Sequence, residues 1–94
     1  MKVTIPHDIV SRDLAGEAVI LNLANGTYFG LNEVGTRIWN LLAKHGSIEQ
    51  VLPPLLVEYE VEEAELHQDL EALLQILAEK GLVVVHAEKT QAIR

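Results

Sequence analysis

Residues 17–33 read Glu17-Ala18-Val19-Ile20-Leu21-Asn22-Leu23-Ala24-Asn25-Gly26-Thr27-Tyr28-Phe29-Gly30-Leu31-Asn32-Glu33. Asn25-Gly26 lies between two runs rich in β-branched, leucine and aromatic residues, and this arrangement is the strongest short-range signal for a β-hairpin. A two-residue turn at Asn25-Gly26 places Leu23 opposite Tyr28. We therefore expect an antiparallel hairpin whose second strand is Thr27–Leu31.

A further extended segment precedes the hairpin, within Val3–Ile5 or Ile9–Arg12, and is expected to pair with the first hairpin strand. The sheet is then a three-stranded meander with Thr27–Leu31 at one edge. An edge strand carries unpaired N–H and C=O groups that can accept another strand, and this one has no lysine or proline to guard it. The alternative is that the N-terminal segment or Val83–Val85 covers this edge.

Three amphipathic helices are predicted downstream of the hairpin. The first begins after the N-cap residue Asn32 and ends at Gly46, and the second opens with a capping box formed by Ser47 and Gln50. Pro53-Pro54 lies inside the second helix and is expected to bend or split it. The third helix, from about residue 62 to residue 80, is the longest. Its core-facing stripe is Leu66, Leu70, Leu73, Leu74 and Leu77.

The order β-β-β-α-α-α predicts an α+β fold of the winged helix-turn-helix-like kind, with a three-stranded antiparallel sheet followed by three helices. A chain of 94 residues is long enough for one hydrophobic core and too short for two. We expect a single domain over residues 1–94 with its core at about 3–85. Beyond His86 the chain is polar and is expected to fray.

The charge and composition exclude several classes of function. Seven Lys and Arg residues face fourteen Asp and Glu residues, which gives a net charge of −7. No Lys or Arg occurs from His45 to Glu79, so nucleic-acid phosphates and anionic membrane surfaces are disfavoured partners. The absence of cysteine excludes disulfides and thiolate chemistry. With neither a signal peptide nor an apolar run long enough to span a membrane, the sequence predicts a cytoplasmic protein.

No catalytic constellation is evident. Neither Ser11 nor Ser47 lies in a nucleophile elbow, and the glycines are too scattered to form a phosphate loop. His67 and Glu71 share a helix face at i, i+4, but no third metal ligand accompanies them. We expect no catalytic residue, no metal and no cofactor, so binding remains as the function.

A family resemblance is carried by residues 21–39, which read LNLANGTYFGLNEVGTRIW, and by Gly81-Leu82-Val83. The portion Leu31-Asn32 … Gly35 … Ile38-Trp39 is its most specific part. This pattern resembles the PqqD family, whose members typically carry nLnxxxGxyyxLNxxGxxIW and a GLv ending; the resemblance covers about residues 17–85. The family is the RiPP recognition element, a winged-helix-like module that binds the leader of a ribosomally made precursor peptide and presents it to modifying enzymes.

The resemblance implies that a leader adds as an antiparallel strand to Thr27–Leu31, in a groove against the third helix. On that helix, Ala72 is small enough to admit a peptide, and Ile76 lies off the main leucine stripe. For Tyr28 and Trp39, packing between the sheet and the first helix is the alternative to leader contact. The expected peptide-binding residues are Thr27, Tyr28, Phe29, Gly30, Leu31, Glu65, Asp69, Ala72, Leu73 and Ile76.

A free-standing chain of this length is most similar to the small leader-binding subunit of a split lasso-peptide protease. Such a subunit works beside a separate cysteine protease and an ATP-dependent cyclase. The nearest alternative is a PqqD-type peptide chaperone for a radical-SAM enzyme. Two other classes are an adaptor that dimerises through the edge strand and a winged-helix DNA-binding regulator, the latter disfavoured because the third helix is acidic.

Overall fold

The computed structural model describes residues 2–86, and the predicted α+β order of a three-stranded antiparallel sheet followed by three helices is confirmed. Fraying beyond His86 was expected for residues that lie outside this range. The strands are β1 (Lys2–Thr4), β2 (Ile9–Leu14), β3 (Glu17–Asn22), β4 (Tyr28–Gly30) and β5 (Val84–His86). The helices are α1 (Glu33–His45), α2 (Ile48–Glu58) and α3 (Glu63–Glu79).

The main sheet has the strand order β2-β3-β4, with both pairs antiparallel, so β4 lies at one edge as predicted. The upstream strand of the meander is β2, at the second of the two positions that the sequence allowed. The first of those positions forms β1, which pairs with β5 and places Val3 opposite Val85. Within residues 2–86, neither the N-terminal strand nor the C-terminal strand covers β4, so that alternative is wrong.

The register of the β3–β4 hairpin differs from the predicted one by two residues. Tyr28 lies opposite Leu21 and not opposite Leu23. The Asn22 amide donates to the Thr27 carbonyl (2.8 Å), and the Asn22 side-chain oxygen accepts from a loop amide two residues further on (2.9 Å). This Asx turn lengthens the loop. Because the side-chain period of a strand is two, a slip of two residues leaves each side chain on its predicted face.

The predicted caps of α1 and α2 are present. The Asn32 side-chain oxygen accepts from the Gly35 amide (2.8 Å), and the Ser47 hydroxyl accepts from the Gln50 amide (3.3 Å). Gly46 follows α1 with φ of 73°, a left-handed conformation that glycine adopts without steric cost. Only two residues, Leu31 and Asn32, thus separate the end of β4 from the start of α1.

Helix α2 runs unbroken through Pro53 and Pro54, so the proline pair does not split it. Two missing N–H donors weaken a helix, but burial of residues on both sides of the pair outweighs that loss. The buried residues of α2 are Ile48, Val51, Leu52 and Leu55.

One hydrophobic cluster joins the main sheet to the three helices. Trp39 is 2% exposed and belongs to this cluster, which confirms packing for this side chain. The core-facing leucines of α3 are buried at Leu66, Leu70, Leu74 and Leu77, whereas Leu73 is half-buried at the margin of the core. Among residues 2–86, no helix is both long enough and apolar enough to cross a membrane.

Candidate functional site

Strand β4 presents an open edge with the backbone groups of two residues. The Leu31 amide donates to the Ala18 carbonyl of β3 (2.8 Å). Because hydrogen-bonded and non-bonded pairs alternate along an antiparallel ladder, Phe29 also bonds to β3. Tyr28 and Gly30 therefore direct their N–H and C=O groups away from β3, toward the open edge. These four groups can bond to one further strand.

A groove of about 320 Å³ lies beside β4. Phe29, Gly30 and Leu31 line it on the strand side, and Asp69 and Leu73 line it from α3. The predicted strand and part of the predicted helix stripe therefore do face one common groove. The first turns of α1 complete the lining through Asn32, Val34, Gly35 and Ile38.

A second hollow, of about 250 Å³, lies at the other end of β4. The Lys80 ammonium stands 5.5 Å from the centre of the Phe29 ring, a cation–π distance. Phe29 lines both hollows and is thus shared between them. The second hollow is lined by Asn25, Thr27, Tyr28, Phe29, Lys80 and Leu82.

One face of α3 follows the two hollows. Asp69, Leu73, Ile76 and Lys80 recur at i, i+4, i+7 and i+11, a spacing that aligns side chains along one side of a helix. Leu73 packs partly against the core, and Ile76 is 43% exposed. This α3 stripe is therefore apolar in its middle, acidic at one end and basic at the other.

The predicted residues differ in how they are placed. Tyr28 is 76% exposed, so it does not pack between the sheet and α1. The Leu31 side chain is buried in the core, and Thr27 bonds through its amide and its hydroxyl to the Asn25 side-chain oxygen (3.0 and 2.7 Å). Three of the predicted residues line neither hollow: Glu65, Ala72 and Ile76.

The sequence pattern does not identify three residues that contribute to the two hollows: Asn32, Gly35 and Lys80. The sequence pattern indicates a helix cap at Asn32 and a motif glycine at Gly35, yet both residues also line the groove. The signal was the short link between β4 and α1, since a helix that starts so close to the edge must flank it. The sequence pattern marks Lys80 only as the end of α3, although it lies four residues beyond Ile76 and is the first Lys or Arg after the long acidic stretch.

Thr36 fixes the junction of β4 with α1. Its buried hydroxyl accepts a hydrogen bond from the Ala18 amide (2.7 Å) and donates to the Leu31 carbonyl (3.5 Å). The Leu31 amide returns a bond to the Ala18 carbonyl (2.8 Å). These bonds connect the end of β4 to both β3 and α1, and they thereby fix the position of the open edge relative to α1.

An ion pair connects α1 to α2 on the outside of the domain. The Arg37 Nε donates to both Glu58 carboxylate oxygens (2.9 and 3.1 Å). The hydrogen bond from Arg37 lowers the pKa of the Glu58 carboxyl below its usual value, and the same bond raises the pKa of the guanidinium. The pair belongs to the scaffold, because neither residue lines the groove.

The acidic residues and histidines do not assemble a metal site within residues 2–86. The His67 Nδ1 lies 3.6 Å from a Glu71 carboxylate oxygen, as the i, i+4 spacing predicts. No group of three potential ligands occurs in this part of the chain.

Comparison with known proteins finds one matching family and two similar solved structures. The family model described as coenzyme PQQ synthesis protein D (PqqD) matches residues 17–83. A structure described as TbiB1 in complex with the TbiA(beta) leader peptide is 38% identical, with 90% of this chain and 99% of that chain covered and a TM-score of 0.84. One described as lasso peptide synthetase B1 complexed with the leader peptide is 27% identical, with coverages of 90% and 100% and a TM-score of 0.81. No curated protein sequence is significantly similar.

Proposed function

Because the chain belongs to the PqqD family of RiPP recognition elements, we propose that it binds the leader of a ribosomally synthesised precursor peptide as an added strand on β4. Domains of this family are non-catalytic binding modules, so the chain is not an enzyme. The observation that carries the proposal is the open edge of β4 beside a groove lined by α3 and α1. Leader peptides are the ligands named for both similar structures.

The bound leader runs antiparallel to β4 and bonds to the outward N–H and C=O groups of Tyr28 and Gly30. Alternate side chains of a strand point to opposite faces. One set of leader side chains therefore enters the groove between Phe29 and Leu73, and the other set lies beside the exposed Tyr28 ring. Backbone bonds supply part of the affinity and are blind to sequence, whereas the groove selects the side chains.

The affinity follows from the small size of such an interface. One strand with two or three side-chain anchors buries an area near or below the ~1,200 Å² lower bound of standard complexes. Ordering a flexible peptide costs further free energy. We expect a Kd of roughly 0.01–10 μM, equivalent to about −7 to −11 kcal/mol.

The pathway proposed is lasso-peptide biosynthesis, supported by the description of the second similar structure. In that pathway the chain delivers the leader to a separate cysteine protease in the cytoplasm, beside an ATP-dependent cyclase. The competing role is a PqqD-type chaperone for a radical-SAM enzyme, favoured by the family description. Pull-down of this chain with each class of enzyme encoded near its gene separates the two roles.

Gly30 offers a matched pair of variants that tests strand addition. A side chain built at Gly30 meets no atom within 4 Å, so Gly30→Ala keeps the fold and the edge N–H. Gly30→Pro also leaves the bonds to β3 intact, because the Gly30 N–H points outward, but it removes that donor and fills its place with the proline ring. With fluorescent TbiA(beta) leader peptide as the probe, we expect Gly30→Ala to bind within about twofold of the parent and Gly30→Pro to bind at least about tenfold more weakly.

Melting temperatures of the two variants show whether the fold is intact. If Gly30→Pro binds the leader as tightly as the parent does, the leader binds somewhere other than the β4 edge.

A further inference from the structure

The two ends of the groove region carry opposite charges. Asp69 lines the groove beside Gly30, whereas Lys80 lines the second hollow beside Tyr28. Both side chains are exposed, and within residues 2–86 neither is engaged in an ion pair. Glu65, one turn before Asp69 on α3, adds to the negative end. Within residues 2–86, two charges without an ion-pair partner therefore face the space that an added strand would occupy, and Lys80 also contacts the Phe29 ring.

The spacing of these charges can be converted into a spacing along a bound peptide. Asp69 and Lys80 are 11 positions apart, so at about 1.5 Å per residue they are separated by about 16 Å along α3. An extended strand covers that length in about five residues, at about 3.3 Å each. Only alternate side chains of the strand face α3, so the two peptide residues that pair with Asp69 and Lys80 lie about four or six positions apart in the peptide.

The direction of β4 then sets the order of the two partners. β4 runs from Tyr28, near Lys80, to Gly30, near Asp69. A peptide antiparallel to β4 passes Asp69 first and Lys80 last. Resting on the strand addition proposed above, we infer that Asp69 and Lys80 are specificity residues that select a leader segment with a basic residue followed, four or six positions later, by an acidic residue.

This pair of charges supplies information that the strand edge lacks. Backbone hydrogen bonds are compatible with several registers, and a polar strand without fixed neighbours slips readily. A peptide in the reversed direction brings like charges together at both ends. Exposed ion pairs are individually weak, so the two together favour the correct order by about tenfold, while apolar anchors supply most of the affinity.

The test is a selection of random 12-residue peptides displayed against the parent and against the charge-swapped variant D69K/K80E, whose net charge equals that of the parent. The parent is expected to enrich peptides with a basic residue ahead of an acidic one at the stated spacing. The swapped variant is expected to enrich the reverse order. The neutral variant D69N/K80Q is expected to enrich peptides without a charge order, and melting temperatures verify that all three chains are folded.

The outcomes separate this inference from the proposed function. If the parent and the swapped variant enriched peptides with the same charge order, or peptides without any charge order, the role of Asp69 and Lys80 would be overturned. Strand addition would remain in place. Strand addition itself would be overturned, and the inference with it, if the selected peptides bound Gly30→Pro as tightly as they bind the parent. A selection that enriches no peptide would have the same consequence.

Discussion

Thr36 is the single residue on which the geometry of the binding edge most depends. It is one of two buried polar residues within residues 2–86, and its hydroxyl connects α1 to β3 and to Leu31, the residue that follows β4. Threonine is otherwise a modest helix former, so its place in the first turn of α1 is explained by these two bonds rather than by propensity. The sequence pattern gave no indication of this role, because the bonded groups are 18 positions apart along the chain.

Replacing Thr36 with valine keeps the shape of the side chain but leaves the buried Ala18 amide without its acceptor. Such an orphaned donor costs about 1–3 kcal/mol. We expect urea unfolding to show a loss of stability in this range for Thr36→Val. Thr36→Ser retains the hydroxyl and is the control, with the smaller loss. Equal stabilities of Thr36→Val and the parent would show that the hydroxyl does not hold the junction.

Between elements, the Arg37–Glu58 pair makes the contact of α1 with α2 depend on pH. Arg37 lowers the pKa of Glu58 in the folded state, so the stabilisation is present above the unfolded value of about 4.3 and is lost as the pH falls through the folded value. We expect the side-chain NMR titration of Glu58 to have its midpoint below that of an ordinary glutamate. In Arg37→Gln the midpoint should return to the ordinary value. A midpoint that is the same in both proteins would exclude the pair in solution.

Helix α3 serves the core with one face and the groove with another, and two substitutions separate these roles. Leu70 is 0% exposed, so Leu70→Ala leaves a cavity and should cost about 2–5 kcal/mol of stability. Ile76 is 43% exposed on the α3 stripe, so Ile76→Ser should weaken leader binding and leave the melting temperature nearly unchanged. If Ile76→Ser lowered the melting temperature strongly, or bound the leader as tightly as the parent does, the leader would not lie along this stripe.

The helices could be predicted from the sequence because their determinants are local. The caps at Asn32 and Ser47 and the leucine stripe of α3 each depend on residues within a few positions of one another. The hairpin register could not be predicted, because the Asx turn at Asn22 competes with the Asn-Gly turn and is favoured only in the folded loop. The walls of the groove were predicted in part: the strand and Asp69 were placed, whereas the α1 lining depends on packing between elements.

Across the whole molecule, the pairing of β1 with β5 explains why neither of these strands covers the β4 edge. β1 pairs with β5, and Val3 bonds through its amide to the Gly46 carbonyl after α1. The first and last strands of the described residues 2–86 are thereby used in a second small sheet, and within this range β4 has no neighbour on its outer side. Pattern alone could not choose between this pairing and coverage of β4, since Val3 and Val85 are separated by nearly the full length of the chain.

The most direct measurement of strand addition is residue-specific amide hydrogen exchange with and without the TbiA(beta) leader peptide. In the free protein, Phe29 and Leu31 should be protected by their bonds to β3, and Tyr28 and Gly30 should exchange rapidly. On leader binding, Tyr28 and Gly30 should become protected, so that protection extends along all four residues. A leader that binds while Tyr28 and Gly30 continue to exchange as in the free protein would contradict strand addition at β4.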